Sequence, residues 1–180
     1  MLREVSYPVG IVLERRPSQN KWVDHSWQVV DLILDPPAMD GWQELPTTAP
    51  GEADDGVRRF CYGPVFITLH RRMGEAYDHN ILTGHPAVWV MLDDLIGETV
   101  PYRFRGVTVD PFEAQGFLDC AEGLIERLPM PEAIRAWMAG YMQEMPEPEQ
   151  FKKRKRVTFK REEEQKFGKD PIFSPQGRKS

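Results

Sequence analysis

Residues 9–34, VGIVLERRPSQNKWVDHSWQVVDLIL, decide how this chain folds. In VGIVLER the apolar residues Val9, Ile11 and Leu13 alternate onto one face, with Glu14 and Arg16 on the other, the period of a half-buried strand. SWQVVDLIL (26–34) begins with the same alternation and ends apolar on both faces, as a central strand does. Between the two runs, Asp24–His25 sits between Trp22 and Trp27. Adjacent strand residues point to opposite faces, so Asp24 is badly placed to orient His25 as a general base. The expected role of the stretch is strand entry, with Trp22 and Trp27 packed around it.

Outward from this hairpin, short β-type runs continue. VRRFCYG (57–63) and PVFITLH (64–70) read as two strands, or as one strand bent at Gly63–Pro64. AYDHNIL (76–82) reads as a further strand. AVWVML (87–92) is apolar on both faces and is a second candidate for a sheet centre, and YRFRGVTV (102–109) alternates again. Residues 36–56 form an acidic loop rich in Pro and Gly, in which Trp42 is the expected anchor.

Helix signals come late. In VDPFEA, Asp110 suits an N-cap, Pro111 the first helical position and Glu113 the residue three beyond the cap. CAEGLIERL (120–128) leans towards strand. MPEAIRAWMAGYMQEM places Ile134, Trp137, Met138, Tyr141 and Met145 on one stripe at helical spacing. The expected fold class is therefore α+β, mainly β: an antiparallel meander or barrel of about six to eight strands, a short helix, a C-terminal amphipathic helix and a basic tail.

Charge divides the chain. Residues 151–180 carry 11 Lys/Arg against 4 Asp/Glu, a balance of +7, and residues 1–150 carry 12 against 24, a balance of −12. One mainly-β domain over 1–149 and a tail over 150–180, disordered or ordered by a partner, follow from this break. So acidic a body should repel nucleic acid and anionic membrane, while the tail could meet either, or an acidic protein face. The apolar patch near the N-terminus is too short for a secretory signal, and no segment approaches the ~20 apolar residues of a membrane span. The expected location is the cytoplasm, with Cys61 and Cys120 as reduced, largely buried thiols.

No site motif for phosphate binding, dinucleotide binding, serine hydrolysis or zinc proteolysis occurs. Arg72-Met73-Gly74 matches a triplet of the nucleotidyltransferases that attach GMP to molybdopterin. Without a glycine-rich loop before it, it does not support nucleotide binding. His25, His79 and His85 are the candidate metal ligands or bases. Zinc needs three or four converging donors, so no catalytic residue, metal site or cofactor is assigned. The candidate partner contacts are Trp42, a cluster of Arg58, Arg59, Arg71 and Arg72 flanking one hairpin, and the tail run Lys152, Lys153, Arg154, Lys155 and Arg156.

The runs VGIVLERR…W.DH.W and DPFEAQ…LPMPE carry a resemblance. Together with the basic tail they resemble the bacterial family called domain of unknown function 3305, over most of residues 7–156. The resemblance implies a setting near molybdenum-dependent formate dehydrogenases and their maturation factors. It supplies no catalytic residues. The expectation is a non-enzymatic accessory or assembly protein of such a system, acting by protein contacts. The alternatives are a small enzyme or cofactor-binding protein of molybdenum-cofactor metabolism, with a pocket in the β domain, and nucleic-acid binding through the tail.

Overall fold

The computed structural model describes residues 3–46, 55–120 and 123–145. The tail and its boundary at 149/150 lie outside the described residues. Among the described residues seven strands and three helices follow in the order β1 (Glu4–Pro17), β2 (His25–Leu34), β3 (Gln43–Leu45), β4 (Arg58–His70), α1 (Gly74–Leu82), β5 (Ala87–Asp94), β6 (Tyr102–Thr108), α2 (Pro111–Leu118), β7 (Gly123–Pro129) and α3 (Glu132–Gln143). All strand pairing is antiparallel, as the alternation predicts. The strands form two sheets, ordered β2-β1-β4-β3 and β6-β5-β7. Among the described residues these sheets share no strand pairing, so the closed barrel is not formed.

One core joins the two sheets. Val9, Ile11 and Leu13 of β1, Val29 of β2 and Ile67 of β4 are buried in the same cluster as Val88, Val90 and Leu92 of β5. Ile134, Met138 and Tyr141 of α3 join it, the stripe that helical spacing selects. Each fully buried side chain of this size adds about 1.5–3 kcal/mol, so the alternating faces dominate the fold. β5 is the central strand foreseen. β2, expected at a sheet centre, is instead an edge, while β1 lies between β2 and β4. Its second apolar face comes from Val30 and Ile33, which are only half-buried; Ile33 lies beside Gly10 and Pro36 rather than under a neighbouring strand.

β4 is one 13-residue strand rather than a hairpin. Its pairing with β1 shifts register between Val9 and Ile11. There the two backbones meet so closely that a Cβ on Gly63 would lie 3.0 Å from Gly10 Cα and 3.1 Å from Val9 O. Glycine at this crossing is a packing requirement.

The reading of 76–82 as a strand is corrected: these residues belong to α1. Its buried face is Ala76, Tyr77 and Asn80, a pattern whose polar member hides the helical period. Asn80 is 2% exposed and fully used. Its Nδ2 donates to the carbonyls of Ala87 (2.8 Å) and Val109 (2.7 Å), and its Oδ1 accepts from the Ala87 N–H (2.9 Å). This latch ties α1 to the start of β5 and the end of β6. Asp110 caps α2 by accepting from the N–H groups of Phe112 and Glu113, as its sequence signature foretells.

Candidate functional site

The four body arginines do not form one cluster. Because β4 is continuous, Arg58–Arg59 and Arg71–Arg72 stand at its opposite ends, roughly 40 Å apart at an ordinary strand rise. Register instead brings Arg58 and Arg59 to β1, where Arg15 faces Arg58 and Glu14 faces Arg59. Pro17 faces His25 across the β1–β2 pair, so the loop carrying Trp22 belongs to the same end of the sheet.

Glu14 organises this end. Strand alternation turns it away from the apolar face, yet its side chain is only 2% exposed. Oε2 accepts from Arg59 Nε at 2.8 Å and Oε1 accepts from Arg16 Nε. Burial pushes the Glu14 carboxyl up. The hydrogen bonds from Arg59 and Arg16 and their positive charge outweigh it, and the group sits below its ordinary range. The two guanidiniums that hold it are 51% and 62% exposed. Each spends its Nε on Glu14, and their Nη groups have no partner among the described residues. Arg58 is engaged differently, with Nη1 donating to Val57 O and Nε 3.5 Å from Glu44. Arg15 keeps a buried Nε with no hydrogen-bond partner among the described residues.

The neighbouring loop is built, not slack. Ser18 N–H donates to Asp24 O, Trp22 N–H to Asn20 Oδ1 and Val23 N–H to Asn20 O. On this frame Trp22 is 92% exposed and Val23 half-exposed. Only one of the two tryptophans packs around the strand entry: Trp27 lies against Phe60 and Tyr102, while Trp22 points into solvent. A large apolar ring held out on an ordered loop, at the same end of the sheet as guanidinium edges that have no partner among the described residues, has the composition of an interface hot spot.

The other candidates fall elsewhere. Trp42 stacks near Tyr62 and donates from Nε1 to Tyr102 O at 3.0 Å, so its ring anchors the described part of the 36–56 loop within the chain. Arg71 and Arg72 are exposed, and the Arg71 N–H donates to Arg3 O. His25 opens β2, His79 stacks on Phe112, and His85 lies in the turn before β5, where its carbonyl accepts from Arg127. Among the described residues no three His, Cys, Asp or Glu side chains converge as a metal set. Cys61 is buried, but Cys120, expected inside, is exposed. Residues 152–156 lie outside the described residues. Among those described, no helix is long and apolar enough to cross a membrane.

The family model for "Protein of unknown function (DUF3305)" matches residues 8–155, from the start of the buried part of β1 through α3 and into the basic run. This chain belongs to that family. No curated protein and no solved structure matches it. In this DUF3305 chain the match takes in Glu14, Arg16, Trp22 and Arg59, the residues of the site. Sequence reasoning missed Glu14, Arg16 and Trp22. The one signal for Glu14 was a lone carboxylate between an apolar run and two arginines. For Trp22 it was a tryptophan inside a Ser-Gln-Asn-Lys turn, ahead of the strand.

Proposed function

We propose that this protein is a non-enzymatic accessory protein that docks onto another protein through the arginine-rich end of its four-stranded sheet. The observation that carries this reading is Trp22, 92% exposed on a hydrogen-bonded loop at the same end of the sheet as Arg16 and Arg59. Covering such a ring removes on the order of 200 Å² from water, a gross gain of several kcal/mol, and little loop ordering has to be spent against it. Arginine and tryptophan together dominate measured interface energetics.

The partner class we propose, from the setting the family resemblance implies, is a cytoplasmic molybdenum-dependent formate dehydrogenase or one of its maturation factors. On this reading the basic run Lys152–Arg156 is a second, purely electrostatic contact that speeds encounter. Arg71 and Arg72 play no part in the main contact, and Trp42 acts by holding its loop. The test is co-purification of the tagged full chain with the subunits of the dehydrogenase. Stoichiometric association that Trp22→Ala abolishes is expected. A protein that elutes alone in their presence overturns the proposal.

A further inference from the structure

The docking end has a more specific chemistry than exposure alone. The geometry points to Arg16 and Arg59 as a receptor for paired carboxylates on an acidic, Asp- and Glu-rich segment of a partner protein, with Trp22 covering an apolar residue of the same segment. This inference rests on the docking reading above and names what the surface recognises.

Three observations carry it. First, Glu14 takes one Nε from each arginine, which leaves both Nη edges unpartnered among the described residues. A guanidinium edge of this kind matches a carboxylate with two parallel N–H···O bonds. Second, the carboxylate that positions the pair is itself 2% exposed, so both forks are tethered before any ligand arrives. Pre-ordering two long side chains removes most of the rotamer loss that weakens ordinary surface ion pairs. Third, the triad of two arginines and one carboxylate keeps one excess positive charge, while Glu44 and Asp55 nearby are engaged with Arg58 and the Val57 N–H.

The surrounding body decides between anions. Its balance over residues 1–150 is −12, unfavourable for the dense charge of a nucleic acid, which needs many phosphates neutralised together. A pair of peptide carboxylates needs only the local field, because charges beyond about 8 Å are screened at physiological salt.

The experiment is a resonance-resolved titration of the isotope-labelled full chain with hexaglutamate. Hexaglutamine, inorganic phosphate and a single-stranded DNA oligonucleotide serve as parallel arms. Hexaglutamate is expected to move the Trp22 indole and the Arg16 and Arg59 Nε–H signals, and hexaglutamine to leave them still. Signals from residues 151–161 report tail binding separately in the same tube. Arg16→Lys with Arg59→Lys keeps the charge on Glu14 and hence the fold, but removes the planar forks. It should weaken the response at this end about tenfold and leave the tail response unchanged. Hexaglutamate shifts confined to the tail overturn the inference, as does an unchanged affinity in the double lysine variant. Phosphate or DNA acting on Arg16 and Arg59 as strongly as hexaglutamate overturns the carboxylate assignment. If hexaglutamate ignores this end while Trp22→Ala still abolishes co-purification, docking stands and the carboxylate receptor falls. If hexaglutamate binds here but Trp22→Ala leaves co-purification intact, the receptor stands and the docking role of Trp22 falls.

Discussion

The two ends of β4 carry the same dipeptide, Arg-Arg, in opposite surroundings. Beyond Arg71–Arg72 the strand runs directly into α1, and three contacts close that end. Tyr77 Oη accepts from the His70 N–H, Tyr141 Oη donates to Arg3 O, and Arg71 N–H donates to the same carbonyl. At Arg58–Arg59 no described helix covers the sheet. A buried carboxylate instead fastens two guanidiniums, whose outer edges have no partner among the described residues. One polar arrangement is spent inside the molecule and the other is offered outward. An identical dipeptide therefore says nothing about a site until the partners in register are known.

The largest effect should come from the closed side. Asn80→Ala strands the N–H and carbonyl of Ala87 and the carbonyl of Val109, each buried. A loss on the order of 4 kcal/mol is expected from chemical denaturation, given about 1–3 kcal/mol per orphaned group with partial relaxation. Glu14→Gln comes next. It removes a buried charge held by two half-exposed arginines, and about 2 kcal/mol is expected at neutral pH, below the full value for a buried pair because both arginines reach solvent. If Glu14→Gln proves the more damaging, the open end carries structural weight that the comparison denies it.

Acid and alkali should separate the two ends. The Glu14 carboxyl is lowered in the folded protein, so its contribution is complete above its ordinary value of 4.5 and disappears as pH falls through the lower folded value. The difference between wild type and Glu14→Gln in melting temperature should therefore shrink over that acid window. Tyr77 behaves oppositely. Burial pushes its phenol up to about 12 from 10, so its contribution is complete below pH 10 and is lost as pH rises towards 12. Alkaline unfolding that begins near pH 10 and is delayed by Tyr77→Phe is the expected pattern. A melting difference for Glu14→Gln that stays constant down to strong acid would rule out the charged triad.

The smallest stability effects belong to the exposed side chains. Arg71→Ala, Arg72→Ala and Trp22→Ala should each change stability by less than about 0.5 kcal/mol. They should differ in association, where only Trp22→Ala is expected to register.

What could be read in advance follows the physics of each element. Alternation in 9–16 and 102–109 marks strands, although residues 9–14 of β1 prove buried on both faces, and the stripe Ile134–Met138–Tyr141 marks α3, because in each the apolar face is large and unbroken. α1 escaped because Asn80 occupies its buried face, and a polar residue there is only intelligible once Ala87 and Val109 are known to stand opposite. Gly63–Pro64 leaves open whether 57–70 is one bent strand or two; the single strand is the outcome, and only the close approach of Gly10 explains the glycine. Only the two-strand alternative gathers Arg58, Arg59, Arg71 and Arg72 into one cluster, and the continuous strand takes it apart. The real site depends on register between β1 and β4, a long-range property with no local signature. Trp22 was placed correctly in the chain and wrongly in space, since an aromatic beside a strand is more often core than surface.

Whether the open end of β4 is the face this protein presents to a partner can be decided by one comparison. The tagged full chain, wild type against Trp22→Ala, is co-purified with the formate dehydrogenase subunits, and both melting temperatures are measured. Matching melting temperatures are expected, with the association lost in the variant. Full association by a Trp22→Ala protein of unchanged stability would refute the docking role of this face.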